Sequence, residues 1–171
     1  LKANVIQILI EVVPGLPENS EDAILILYIF AYMAFLDMSC RNSLIDQDVV
    51  LTLPSVVKKL RRIPAGHKKL VRSLVSTLLR LLAEVDDLEK YVSDDAIPLL
   101  CHVMHSTEDI KILEHCATTL CNIARRQRYN EELVQQGAIE ALAYLAKSPP
   151  LFSLAAATLH VLSLEAKHRE K

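Results

Sequence analysis

The chain has 171 residues, of which 51% are apolar and 5% are aromatic, and its formal net charge is −2. This length can bury a sizeable core in one domain, and the near-neutral charge gives no overall field that would attract nucleic acid or an anionic membrane. Three glycines and seven prolines leave little material for β-turns, so we expect an all-helical protein with an aliphatic core. Four cysteines without regular spacing indicate reduced core thiols and a cytoplasmic protein, with a nuclear or cytoskeleton-associated location as the alternative.

The start of the chain and its longest apolar run bear on targeting. Leu1 is not preceded by Met, and 1–13 lacks both the basic start and the cleavage site of a signal peptide, so we expect the chain to be a piece of a longer protein. The longest apolar run, 23–36, has about 14 residues, and spanning a bilayer takes about 20. Because that run is apolar nearly all round, we predict a helix that is buried on most sides.

Hydrophobic periodicity predicts helices along the whole chain. The predicted helices, in order, are 1–13, 23–38, a short helix or turn at 41–47, 51–62, 67–83, 86–93, 96–105, 106 or 107 to 125, 130–136, 138–147 and 151–166. Asn19 or Ser20 is expected to cap the second helix, and Ser106 or Thr107 the helix that ends near Arg125. The tail 167–171 is expected to begin a further short helix.

The order of medium, long and short helices recurs about three and a half times. The ends of the short helices align at Asp48, Asp95 and Gly137, which gives spacings of about 47 and 42 residues. Such spacings are typical of armadillo and HEAT units. The approximate repeats are 1–47, 48–94, 95–136 and 137–171.

Three short motifs resemble the armadillo pattern. They are Gly137-Ala138-Ile139 at a second helix, Ala117 with Leu120, Asn122 and Ile123 on a third helix, and Asn130 followed by Leu133 and Val134 at a first helix. A three-helix unit with a short first helix also resembles armadillo more than HEAT. The resemblance implies an all-α, α-α superhelix (armadillo-type solenoid) over the single domain 1–171, with a concave groove lined by the third helices.

The resemblance also implies where a partner would bind. It directs Asn122 into the groove, where an amide can donate to and accept from a peptide backbone; the alternative is that Asn122 bonds neighbouring backbone. Aligned repeats put Met33, Arg80 and His160 at equivalent positions. The residues expected on the concave face are Arg80, Asn122, Arg126, His160, Ser76 and Thr118. Because only one of the four equivalent residues is Asn and the chain has no Trp, recognition of nuclear-localisation peptides is not expected.

One strong charge cluster surrounds the turn between the predicted helices 51–62 and 67–83. Its members are Lys58, Lys59, Arg61, Arg62, Lys68, Lys69 and Arg72. The cluster is either a solvated surface with helix-end charges or a docking site for an acidic protein segment, a phosphoinositide or RNA. No aromatic residue is interleaved with it, which argues against base stacking.

Cysteines and histidines are concentrated in one repeat. They are Cys101, His102, His105, His115, Cys116 and Cys121. Zinc uses such ligands, but no C-x-x-C or H-x₃-H pair is present and the cysteines fall on an apolar stripe, so we predict buried thiols and no metal site. The chain also lacks a Gly-rich phosphate loop, G-x-S-x-G and H-E-x-x-H, so neither an enzyme nor a cofactor is predicted.

The sequence therefore predicts a non-enzymatic scaffold that binds an extended or helical protein segment along its concave face. The alternative is a structural spacer or assembly module that contacts its neighbours by its ends or its convex face. A weaker alternative is contact with acidic lipid or nucleic acid through the basic cluster. No small-molecule substrate and no membrane span are predicted.

Overall fold

The computed structural model describes residues 2–60, 65–84 and 96–169. Within these ranges the backbone forms α-helices and short 3₁₀ turns and contains no β-strand. This confirms the predicted all-α class of helical repeats. The contacts between residues divide the chain into two units, Leu1–Leu81 and Leu82–Lys171.

The first unit is organised around two long helices that pack side by side. Its described helices are α1 (Lys2–Val12), α2 (Glu21–Leu36), α3 (Met38–Asp46), α4 (Val49–Lys59) and α5 (Ala65–Leu79). Helix α2 packs along α5 and against α3, while α1 packs against α3 and α4. The largest fully buried side chains of this unit are Ile6, Leu27, Phe30, Leu44, Leu53, Leu78 and Leu79. Their burial removes a large apolar area from water and holds the five helices together.

The second unit repeats this arrangement. Its described helices are α6 (Ala96–His105), α7 (Ile110–Ala124), α8 (Asn130–Gln135), α9 (Ala138–Leu145) and α10 (Phe152–Arg169). Helix α7 packs along α10 and against α6, and α9 packs against α6 and α10. The core residues with no exposed surface include Ile97, Leu100, Cys116, Ala117, Ile123, Leu133 and Leu142. In each unit, therefore, two long helices pack side by side, and the shorter helices pack against them and against one another.

Several helix limits confirm the predictions. Helix α6 begins and ends as predicted. Helix α2 is capped by Ser20, whose Oγ accepts a hydrogen bond from the Asp22 amide at 3.1 Å, which settles the choice between Asn19 and Ser20. Gly137 follows the short helix α8 in the left-handed conformation that a C-terminal glycine favours.

Two aspartates set helix limits that the predictions placed elsewhere. The predicted helix 23–38 stops at Leu36, because Asp37 is extended (φ −160°) and its carboxylate accepts from the Cys40 amide at 2.7 Å to start α3. Helix α7 is capped by Asp109, which accepts from the Lys111 amide at 3.1 Å, and not by Ser106 or Thr107. An aspartate caps a helix as well as a serine does, and its charge also complements the helix dipole.

The remaining differences concern helix ends. Helix α5 ends at Leu79 and is followed by a 3₁₀ turn, Arg80–Ala83, where the prediction had one continuous helix. Helix α10 continues through Arg169, so the predicted break before the tail is wrong. The short helix predicted at 86–93 lies outside the described residues.

Two junctions between a short helix and the next helix have the same backbone geometry. Asp48 precedes α4 with φ 55°, and Gly137 precedes α9 with φ 88°. These two residues are the ones that the sequence alignment made equivalent, so the same left-handed step recurs in both repeats. Only glycine occupies this region without a steric cost from Cβ.

Replacing Gly137 by Ala tests this step. A Cβ at this position would meet only Glu140 Oε2, at 3.8 Å, so the cost comes from the positive φ. We expect Gly137→Ala to lower the free energy of unfolding by about 1 kcal/mol in urea titrations. Gly66→Ala is the matched control, because Gly66 lies within α5 with open space around its Cβ position, and that change should not destabilise. Equal effects of the two changes would contradict the assignment.

Candidate functional site

Helix α2 carries the most apolar exposed surface among the described residues of the first unit. Leu25, Tyr28, Tyr32 and Phe35 form one line along it, and each side chain is 53–66% exposed. We call this line the α2 face. The opposite side of the helix, which includes Phe30, is fully buried against its neighbours. The prediction that α2 is buried on most sides therefore did not anticipate that one face of this apolar helix is left uncovered.

The α2 face borders a groove shared with α5. Leu25 and Tyr28 line it from α2, and His67 and Leu70 line it from α5. Its volume is about 440 Å³, and Glu21 and Asp22 lie at the same end. Because residues from the first two turns of both helices meet in this groove, α2 and α5 begin at the same end of the face and run in the same direction.

The outward side of α5 is more polar than the α2 face. Ser73 and Arg80 are exposed and Thr77 is half-buried along this side, after the apolar Leu70. The Thr77 hydroxyl donates to the Ser73 carbonyl at 2.9 Å, so its proton is already used within the helix. The surface formed by the two helices therefore has an apolar ridge on α2 and a polar ridge on α5.

Two of the predicted groove residues lie on α5 or directly after it, and they differ in exposure to solvent. Arg80 is exposed and follows the last residue of α5. Ser76 has no exposed surface, and its hydroxyl donates to the Ser73 carbonyl at 2.9 Å. Ser76 therefore stabilises the helix interior and cannot contact a partner, which corrects its placement on the concave face.

The other four predicted groove residues belong to the second unit. Thr118 is exposed and Asn122 is half-buried, one turn apart on the outward side of α7. His160 is exposed on α10, the helix that packs along α7. Arg126 is half-buried in the turn after α7. These four side chains are polar, in contrast to those of the α2 face.

One member of the predicted basic cluster, Lys59, is bonded to backbone carbonyls. Lys59 donates from its ammonium to the Pro14 carbonyl at 2.8 Å and also to the Leu16 carbonyl. The Lys59 carbonyl in turn accepts from the Asn19 amide at 2.8 Å. Lys59 thus holds the loop between α1 and α2. Its neighbours Lys58, Lys68 and Lys69 are exposed and Arg72 is half-buried, while Arg61 and Arg62 lie outside the described residues.

We therefore expect Lys59 to contribute to stability more than to binding. Lys59→Met should lower the free energy of unfolding by about 1 to 2 kcal/mol, because two carbonyls lose a charged donor. Lys58→Met is the matched control: Lys58 also lies in the last turn of α4, so both changes weaken the same helix-dipole interaction. Thermal and urea unfolding would measure both variants. Loss of stability in Lys58→Met alone would contradict the role assigned to Lys59.

The cysteines are buried thiols. Burial, with a further contribution from nearby Glu140, raises the pKa of Cys101 to about 11. Burial together with the neighbouring Cys101 raises the pKa of Cys116 to about 12. Both thiols are therefore protonated at neutral pH, and a protonated buried thiol is a poor nucleophile and metal ligand.

Two histidines of this region are on the surface, and His115 is half-buried. His102 and His105 are exposed, and the His105 ring packs against Tyr144 with a centroid separation of 5.3 Å. Among the described residues, no group of three or more His, Cys, Asp or Glu side chains is arranged to hold a metal ion.

Comparison with known proteins identifies a repeat family. Residues 90–125 match the family model of the Armadillo/beta-catenin-like repeat, and this segment includes α6 and α7. The match confirms the armadillo resemblance over residues 90–125. Armadillo repeats are generally protein-interaction scaffolds and are typically non-enzymatic. No curated protein and no solved structure matches the chain.

The described helices were also compared with the requirements of a membrane span. Not one of them is both long enough and apolar enough to cross a bilayer. The apolar helix α2 has 16 residues, fewer than the roughly 20 that a span requires.

The sequence prediction missed the α2 face, although one signal for it was present. Both tyrosines of α2, Tyr28 and Tyr32, fall on the exposed side. Tyrosine keeps a polar hydroxyl at the end of an apolar ring, so it is suited to a surface that is covered only when a partner binds. Within an otherwise aliphatic helix, the two tyrosines indicate which side faces outward.

Proposed function

We propose that this chain is a protein-interaction scaffold that binds a partner segment on the surface formed by α2 and α5. The observation that carries the proposal is the α2 face, where four large apolar side chains are each more than half exposed in one line. An uninterrupted exposed apolar patch is typical of a binding surface, because covering it removes that area from water.

The position of this surface within the repeat supports the proposal. Helix α2 is the long helix of the predicted repeat 1–47, and α5 is the long helix of the predicted repeat 48–94. The two helices lie side by side. In the armadillo resemblance the long third helices line the concave face. The proposed surface is therefore the part of that face that belongs to the first unit, with Arg80 at one end.

The polar residues of the second unit receive a smaller role in this proposal. Thr118, Asn122 and His160 provide hydrogen-bonding groups on α7 and α10 but little apolar area. In protein interfaces a few large apolar or aromatic anchors contribute most of the free energy of binding, and polar groups around them mainly provide specificity. We therefore assign the anchoring contact to the α2 face of the first unit, and these residues of the second unit remain a separate polar surface in this proposal.

A second candidate function is supported by α1. Val5, Ile8 and Val12 form an apolar line on its outer side, and their side chains are 45–57% exposed. Beside this line, a groove of about 690 Å³ is bordered by Gln7 and Ile8 of α1 and by Ser43 of α3. Such a surface would suit packing against another helical repeat, as in an assembly module of a larger complex.

Charged substitutions on the α2 face test the first candidate. In Tyr32→Glu with Phe35→Glu, covering the surface would require removing two carboxylates from water. We expect at least about a tenfold loss of the partner proteins captured from the source cell, measured by quantitative mass spectrometry. Both side chains are exposed, so the circular dichroism spectrum and the thermal unfolding of the variant should match those of the parent chain.

Two further variants separate the candidates. Phe152→Glu changes a side chain of α10 that is 55% exposed, and it should leave capture unchanged. Val5→Glu with Ile8→Glu alters the α1 surface. If partners are lost with the α1 variant and retained with the α2 variant, the assembly function is supported and the proposed scaffold surface is wrong.

A further inference from the structure

We infer that the partner segment bound by the α2 face is an amphipathic helix of about three turns, with basic residues at the end that meets Glu21 and Asp22. This inference rests on the proposed function and specifies the chemistry of its partner. Three observations carry it: the absence of amide side chains from α2 and α5, the spacing of the exposed side chains, and the charges at the two ends of the surface.

The first observation concerns hydrogen bonding. An extended segment presents an N–H and a C=O at almost every residue, and these need partners when they are covered. Neither α2 nor α5 contains Asn or Gln, and the Thr77 hydroxyl proton is already bonded within its own helix. Unsatisfied polar groups of an extended peptide would weaken binding to the apolar ridge. A helical segment satisfies its own backbone, so it can cover this ridge without that cost.

The second observation is the spacing of the α2 face. Its four residues are separated by three, four and three positions, the a and d spacing of two heptads. This line runs over eleven residues, 25–35, so it is about 15 Å long. A partner helix with apolar side chains at the same spacing would place its side chains between those of α2 along the whole line.

The third observation is the distribution of charge. Glu21 and Asp22 are exposed, and they lie at the end of the groove where α2 begins. Arg80 is exposed and follows the other end of α5. Glu21 and Asp22 give the α2 side of the groove negative charge where α2 begins, while Lys68 and Lys69 are exposed near the start of α5 and Arg80 follows its end. A complementary partner has Lys or Arg where it meets Glu21 and Asp22, and Asp or Glu where it meets Arg80.

A displayed peptide library provides the test. The probes are 16-residue peptides with apolar residues at the a and d positions of two heptads and random charged or polar residues elsewhere. A matched library has the same composition with two central prolines, which prevent a helix. Selection on the parent chain should enrich the helical library only, and the enriched peptides should have excess Lys or Arg at one end and excess Asp or Glu at the other.

Variants then locate the binding site and its polarity. Tyr32→Glu with Phe35→Glu should lower the affinity of the selected peptides at least tenfold, and the Phe152→Glu control should not change it. Glu21→Lys with Asp22→Lys should lower affinity for the selected peptides by about threefold to tenfold. Peptides in which the basic end is replaced by Glu should regain that affinity on this charge-reversed variant.

Three outcomes would overturn the inference. They are enrichment of the proline library, enrichment of helical peptides without the charge polarity, and the absence of any binder that depends on the α2 face. If one of these occurs while protein capture from cells still depends on Tyr32 and Phe35, the proposed function stands and the helical partner is wrong. If capture is also independent of the two residues, both are wrong.

Discussion

The side-by-side packing of long helices, α2 along α5 and α7 along α10, is the constraint on which the rest of the structure depends. Each long helix buries one side in the core of its unit, and its neighbour covers a second side. Only one face of each helix is then left for solvent. The residues on that face decide what each unit can bind. A shift of one residue along the helix would rotate every side chain by about 100° around the helix axis and would therefore exchange buried and exposed positions.

The two pairs leave chemically different surfaces. In the first unit the face of α2 is apolar and aromatic, whereas α5 contributes hydroxyls and Arg80. In the second unit the outward residues of α7 include Thr118 and the half-buried Asn122. Two pairs of long helices therefore present an apolar line of side chains in one unit and several polar side chains in the other. This is how a repeat fold separates stability from recognition, since the core residues recur and the outward residues vary.

The sequence was sufficient to predict the fold class and most helices, because apolar periodicity and the spacing of Asp48 and Gly137 both reflect the local backbone. It did not reveal the break at Asp37, since Leu36 and Met38 continue the apolar pattern and only the extended aspartate interrupts it. It also assigned Lys59 to a charge cluster and did not reveal its structural role. The hydrogen bond from the Lys59 ammonium to the Pro14 carbonyl depends on how α4 packs against a loop that is distant in sequence. Local pattern cannot report such tertiary contacts.

The candidate site was harder to predict than the fold. In a helix that is apolar on every side, periodicity does not distinguish the buried face of Phe30 from the exposed face of Phe35. The alignment of repeats identified Arg80 as an exposed position correctly, but it placed Ser76 on the surface although the hydroxyl is buried. A separation of four residues keeps two side chains on one face only within a continuous α-helix, and α5 ends at Leu79, before the 3₁₀ turn that contains Arg80.

Hydroxyl-radical footprinting of the free chain, read residue by residue by mass spectrometry, tests the orientation of α2 most directly. The account predicts rapid oxidation of Tyr32 and Phe35, which are 57% and 66% exposed, and protection of Phe30, which has no exposed surface. Oxidation of Phe30 as fast as that of Phe35 in the folded chain, or protection of all three, would contradict it.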